Sequence, residues 1–124
     1  MAVKNLNTVK LEKKGGIGWI IFNRPEKRNA MSPELHFDMN EALDRMADDD
    51  DVKVVVITGA GKAFCAGQDL ALFFRANQDD AKARAKVGKA SHAWRWTKLV
   101  NFPKPTIAMV NGYCFGGAFT QLCA

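Results

Sequence analysis

Long apolar runs are missing from this sequence. With them goes any stretch able to cross a membrane as a helix, which takes about 20 consecutive apolar residues. The opening Met1-Ala-Val-Lys-Asn5 likewise has none of the apolar core of a secretory signal. Cysteine is scarce and odd in number: Cys65, Cys114 and Cys123 lie in apolar contexts. Three such thiols make no disulfide framework and are expected to be reduced, in the core or near a site, in a cytoplasmic protein. The two histidines, His36 and His92, each stand alone on a predicted helix. No Cys/His spacing matches a metal site, so no metal is expected. The net charge of +5 comes from lysines and arginines scattered along the chain. They form no basic stripe interleaved with aromatics, so neither a nucleic-acid nor a membrane partner is expected. The charge suits an anionic small ligand or simply a solvated surface.

What is present is enough for one domain, 124 residues with 48% hydrophobic side chains. Thr8 to Glu12 alternates apolar and polar, and Ile17 to Phe22 is more continuously apolar. With Lys14-Gly-Gly-Ile17 as the turn, they predict a hairpin that Asn23-Arg24-Pro25 ends. Ser32 is a good helix N-cap, Pro33 suits the first helical position, and Glu34 favours the positive helix end. Leu35, Met39, Ala42, Leu43 and Met46 then recur at helical spacing as one apolar face. Asp48 to Asp51 is predicted as a solvated acidic linker. Val52 to Thr58 is nearly all β-branched, as in a parallel strand buried on both faces. After Gly59-Ala-Gly61, Asp69 is positioned to cap a short helix through Phe74, and Gly67 allows an unusual backbone angle before Gln68. A long helix is predicted from Asp79 or Asp80 to about Val100. Trp94 and Trp96 cannot share one of its faces, so one belongs to the core and the other borders a pocket or subunit contact.

The chain closes on Pro105-Thr-Ile-Ala-Met-Val-Asn-Gly-Tyr-Cys-Phe-Gly-Gly-Ala-Phe-Thr-Gln-Leu-Cys-Ala124. Thr106 to Val110 reads as a buried strand and Asn111-Gly112 as a turn. Gly116-Gly117-Ala118 then opens a buried helix, whose first N–H groups have no internal partner. Such a place suits developing negative charge, or else the glycines only permit tight helix–strand packing. The order is β–β–α–β–α–α–β–α, and each of the two later strands is followed by a glycine-bearing loop. Two N–H donors that converge on one oxygen hold an oxyanion, and removing one of such a pair costs about 2.7–4 kcal/mol.

Three runs carry a family likeness: Asn23-Arg-Pro-Glu-Lys-Arg-Asn-Ala-Met31, then Thr58-Gly-Ala-Gly61 with Phe64-Cys-Ala-Gly-Gln-Asp-Leu70, then Lys104 to Gly117. In this order they resemble the crotonase, or enoyl-CoA hydratase/isomerase, superfamily. The resemblance implies an α/β fold, the N-terminal part of the crotonase ββα spiral core. The expectation is a truncated, partial crotonase-like domain over residues 1–124, without the C-terminal half and the trimerisation helices. It implies backbone oxyanion donors at Gln68 and Gly117. The loop Lys27, Arg28 and Ala30 would follow coenzyme A. Ala66, Gln68, Asp69 and Leu70, with Phe73, Tyr113 and Gly117, would line the substrate. Coenzyme A enters as part of the substrate, and no separate cofactor is implied.

Within the superfamily the runs Arg24 to Pro33 and Lys104 to Gly117, with Trp94-Arg-Trp96, most resemble hydroxycinnamoyl-CoA (feruloyl-CoA) hydratase-lyases. These hydrate a phenolic acyl-CoA and cleave it to an aromatic aldehyde and acetyl-CoA. Thr120 stands where ordinary hydratases carry a glutamate, and Phe73 stands where the lyases carry a tyrosine. The acid/base glutamate is expected beyond Ala124, and a full-length protein is expected to form a homotrimer or a dimer of trimers. Two other readings stay open. One is another crotonase-type acyl-CoA hydratase or isomerase; the other is a non-catalytic acyl-CoA-binding or subunit-interaction fragment.

Overall fold

The computed structural model describes residues 6–75 and 78–124; the opening pentapeptide lies outside them. The predicted hairpin is present, β1 (Val9–Lys14) antiparallel to β2 (Ile17–Phe22) around Gly15-Gly16. Side chains alternate across a strand, which sends Val9 and Leu11 of β1, with Ile20 and Phe22 of β2, fully into the core. Helix α1 (Pro33–Asp48) begins where Ser32 Oγ accepts the Leu35 N–H at 3.1 Å, with Pro33 in the first turn. The predicted apolar face is the buried one: Leu35, Met39, Ala42, Leu43 and Met46 are all at most 2% exposed. Burying each of the leucines and methionines contributes about 1.5–3 kcal/mol.

Helix α1 crosses over to β3 (Val54–Gly59), which pairs parallel with β2, as its β-branched run predicts. Strand β4 (Ala63–Cys65) follows, then one wide turn of helix at Ala71–Arg75. Helix α2 (Ala81–His92) is capped by Asp80, whose Oδ1 accepts the Ala83 N–H at 2.9 Å, and widens into a π-helical stretch over Ala93–Lys98. Strand β5 (Thr106–Ala108) pairs parallel with β3, giving a four-stranded sheet in the order β1-β2-β3-β5. Strand β6 (Tyr113–Cys114) pairs parallel with β4 in a second, two-stranded sheet, and α3 (Ala118–Leu122) ends the chain. Of the two tryptophans, of which one was expected in the core, Trp94 is the buried one, its ring edge-to-face with Phe22 at 6.4 Å, while Trp96 is 54% exposed.

Several expectations need correction. The strand predicted over Thr106–Val110 is shorter and exposed along its length, because among the described residues nothing pairs with its outer edge or covers its faces. Strands β4 and β6 were not predicted: at three and two residues they are too short to show alternation, and their pairing joins distant segments. Helix α3 is only partly buried, with Ala118 and Gln121 inside and Phe119 54% exposed. Of the thiols, Cys65 is buried, Cys114 half-buried and Cys123 exposed. The acidic linker is less idle than expected, since Asp49 pairs with Lys13 at 2.9 Å.

Removing the α1 cap isolates one of these local terms. Ser32→Ala should lower the unfolding free energy by about 1 kcal/mol, read from urea denaturation, with the slope on denaturant unchanged. An unaltered midpoint would show that the cap contributes nothing.

Candidate functional site

The site begins with a loop that the hairpin hands to α1. Arg28 and Asn29 both sit in the left-handed region, with φ of 51° and 57°. Asparagine tolerates that conformation better than most residues. Asn29 is fully buried: its Oδ1 accepts the Arg24 N–H at 2.9 Å, and its Nδ2 donates to Ala60 O at 3.0 Å and Ala63 O at 2.9 Å. One side chain thus clamps the loop to the turn between β3 and β4. Gly59 makes room there, since a Cβ on it would lie 2.3 Å from Ala63 O. The Arg24 guanidinium donates to Ala30 O and to the Asp69 carboxylate, the latter at 3.0 Å with both side chains 11% exposed. Neither Arg24 nor Asn29 was singled out from the sequence, although both lie in the loop motif.

Directly after this loop, Met31 N–H donates to Gly67 O at 2.7 Å, and Met31 O accepts from Asp69 N–H at 2.9 Å. In a trans peptide the carbonyl and the following N–H point in opposite directions. Fixing Gly67 O toward Met31 therefore turns the Gln68 N–H away from it, and no acceptor among the described residues takes that N–H. The Gly117 N–H, at the start of α3, is also without an acceptor among the described residues. Gly67 has φ of +88°, and a Cβ there would stand 2.9 Å from Phe115 O and 3.5 Å from Gly117 N. The backbone at Gly67 is therefore in close approach to that of Phe115 and Gly117.

The side chain of Gln68 has partners of its own. Trp94 Nε1–H donates to His36 Nδ1 at 2.9 Å, and His36 Nε2 lies 2.8 Å from Gln68 Oε1. An indole nitrogen can only donate. Nδ1 is therefore the acceptor, the proton sits on Nε2, and His36 is the neutral Nε2–H tautomer donating to Gln68. Burial pushes the His36 pKa down to about 4; the bond to Gln68 opposes this and the nearby Arg95 charge adds to it. Sequence reasoning left His36 as a lone histidine. The missed signal was its spacing, three and seven residues before Met39 and Leu43 of the buried face.

Arg28, Ala66 and Tyr113, with Phe115, line a cleft of about 340 Å³. Arg28 and Tyr113 also border a second hollow of about 420 Å³, beside Pro25, Gly61, Lys62 and Ala63. Tyr113 stacks on Phe115 at 6.0 Å and stays exposed. Lys27 is exposed, Ala30 half-buried and Leu70 66% exposed. The Asp69 carboxylate is engaged by Arg24 and by the Leu72 N–H at 3.1 Å, which is the predicted cap. The half-buried Phe73 turns its ring edge to His36 at 6.0 Å. Arg95 donates to Gly117 O at 3.3 Å and to Ser91, and burial holds its pKa below the usual arginine value. Burial pushes the Cys65 thiol up to about 11, which makes it no nucleophile at neutral pH. A larger hollow of about 530 Å³ along α2 includes none of these residues. Among the described residues no acidic, cysteine or histidine cluster could hold a metal, and no helix is long and apolar enough to cross a membrane.

The sequence profile of the enoyl-CoA hydratase/isomerase family matches residues 12–123. The chain belongs to the enoyl-CoA hydratase/isomerase family. It is 47% identical over 118 residues to a hydroxycinnamoyl-CoA hydratase-lyase of Pseudomonas fluorescens, covering 94% of this chain and 43% of that protein. It is 39% identical over 110 residues to a carnitinyl-CoA dehydratase of Proteus mirabilis, covering 88% of this chain and 40% of that one. Its fold matches the crystal structure of an enoyl-CoA hydratase/isomerase from Xanthobacter autotrophicus Py2, with a TM-score of 0.85 and 32% identity, over 94% of this chain and 43% of that chain. The fold is thus the expected α/β crotonase fold, and the chain spans less than half the length of these relatives.

His36 makes stability pH-dependent in a defined window. Its folded pKa of about 4 lies below the ordinary 6.5, so its contribution is full above pH 6.5 and is lost as pH falls through 4. That gap corresponds to about 3 kcal/mol. Urea unfolding measured from pH 7 to pH 4 should show this loss, and His36→Leu, which cannot protonate, should lack that component. Identical pH slopes in both proteins would contradict it.

Proposed function

We propose that this family member supplies the oxyanion hole and part of the coenzyme A site of a hydroxycinnamoyl-CoA hydratase-lyase. The observation that carries the reading is the close approach of two backbone stretches whose N–H groups, at Gln68 and Gly117, have no acceptor among the described residues. A thioester oxygen between them would accept from both. The two donors would then stabilise the enolate formed as water adds to the side-chain double bond, and again as the carbon–carbon bond breaks to release aldehyde and acetyl-CoA enolate. The cleft bordered by Arg28, Ala66 and Tyr113 is assigned to the coenzyme A side, with Lys27 and Ala30 on the loop beside it. Similarity to the Pseudomonas lyase and the hydroxyl residue Thr120 both favour lyase over two-glutamate hydratase chemistry. Thr120 has no carboxylate to act as a base, and the proposal places the acid/base glutamate beyond Ala124. The reading also takes the protein to be a cytoplasmic homotrimer or dimer of trimers.

One observation favours a second reading, another acyl-CoA hydratase or isomerase of this family. Phe73 packs on His36 and has no hydroxyl with which to hold a phenol. Assaying the protein with feruloyl-CoA and crotonyl-CoA separates the two. Aldehyde release from feruloyl-CoA is expected; hydration of crotonyl-CoA without it would favour the second.

Two substitutions test the site. Gly117→Pro deletes one donor and should reduce kcat by roughly a hundredfold to a thousandfold, with acyl-CoA affinity far less affected. Equal losses in both would remove Gly117 from the role. Lys27→Glu should raise KM at low salt and leave kcat nearly intact, because an exposed contact contributes little and reversing its sign only somewhat more. An unchanged KM at low salt would mean that Lys27 faces solvent.

A further inference from the structure

The Gln68 backbone is held on one edge only. Its neighbours Gly67 O and Asp69 N are both taken by Met31, while its own N–H faces the opposite way without a partner among the described residues. A single extended residue pinned along one edge can still rock about that edge. The Gln68 side chain has an anchor of its own, its Oε1 receiving the His36 Nε2–H at 2.8 Å. His36 in turn is fully buried and locked in one tautomer by the fully buried Trp94. Behind them the rings of Phe22 at 6.4 Å from Trp94 and Phe73 at 6.0 Å from His36 leave the imidazole little room to turn.

We propose that His36 is a positioning residue for the Gln68 backbone donor, acting through the hydrogen-bonded series Trp94, His36, Gln68. This rests on the oxyanion reading given above and adds to it the device that aims one of the donors. A mere packing role would ask only for side chains of matching volume at positions 36 and 68. The geometry asks for more: an acceptor at Gln68, a donor at His36 Nε2 and an acceptor at His36 Nδ1, all satisfied at once around a fully buried imidazole. Because the neutral imidazole can supply one donor and one acceptor together, histidine meets the last two requirements with a single rigid ring. Arg95 is the charged group near it, and its guanidinium is committed to Ser91 and to Gly117 O. The side chain of Gln68 thus serves orientation, while its backbone meets the thioester oxygen.

The test reads polarisation of the bound carbonyl and does not depend on turnover. Acetyl-CoA labelled with ¹³C at the thioester carbonyl is bound to the intact protein, and its carbonyl stretch is followed by difference infrared spectroscopy. Wild type should shift the stretch to lower frequency. Gln68→Met keeps the backbone and side-chain length but removes the acceptor, and His36→Leu removes the donor. Each should lose at least about half of the shift while binding acetyl-CoA within roughly threefold of wild type, and His36→Gln, which restores a donor, should recover part of it. With an accepted acyl-CoA substrate, kcat should fall roughly tenfold to a hundredfold with little change in KM. A full shift retained in Gln68→Met would overturn the positioning role and leave the oxyanion reading standing; it stays informative even if His36→Leu does not fold. No shift in the wild type would remove the oxyanion reading and this inference with it. A ¹⁵N spectrum showing His36 as the Nδ1–H tautomer would overturn the inference independently.

Discussion

Two backbone hydrogen bonds through Met31, to Gly67 O at 2.7 Å and from Asp69 N at 2.9 Å, fix the geometry on which the site depends. Met31 closes the loop that leaves the hairpin and lies just ahead of α1. Gly67 and Asp69 belong to the loop that leaves β4. Binding one to the other turns the Gln68 N–H away from Met31, and the backbone of Phe115 and Gly117 comes close to Gly67. The remaining anchors serve the same end. Asn29 ties the first loop to the β3–β4 turn, Arg24 ties it to Asp69, and Asn111 ties the far end of β3 to the chain before β6. Asn111 does so by accepting the Gly59 N–H at 3.1 Å and donating to Gly59 O at 2.9 Å.

The electrostatics follow from that framework. The titratable groups around the two loops are held in fixed states. Asp69 is neutralised by Arg24, His36 is kept uncharged by burial, and Cys65 stays a thiol. Arg95 is the nearby cation, and it spends its donors on Ser91 and the Gly117 carbonyl. Backbone dipoles in such a setting act on developing negative charge without competition from a mobile ion, and they need no reorganisation when that charge appears.

How much of this was legible in the sequence varied with the range of the interaction. The α1 cap at Ser32, its apolar face and the strands Ile17–Phe22 and Val54–Gly59 were readable because each is set by residues a few positions apart. The family motifs pointed to Gln68 and Gly117 as the proposed donors. They did not reveal the Trp94–His36–Gln68 series, whose partners stand 58 and 32 residues apart in the chain. Strands β4 and β6 escaped for the same reason, since a parallel pair so short exists only through its tertiary contacts. The exposure of Thr106–Val110 could not be read from composition, because an apolar β-branched run records what a strand can be buried by, and not what packs on it.

The central claim is that one thioester oxygen is held by two backbone donors from two loops. A crystal structure of the protein with a bound acyl-CoA thioester tests it most directly. The account predicts that oxygen within hydrogen-bonding distance of both Gln68 N and Gly117 N, with the nucleotide end toward Arg28. A well-ordered thioester whose oxygen meets neither N–H, or only one, would contradict it.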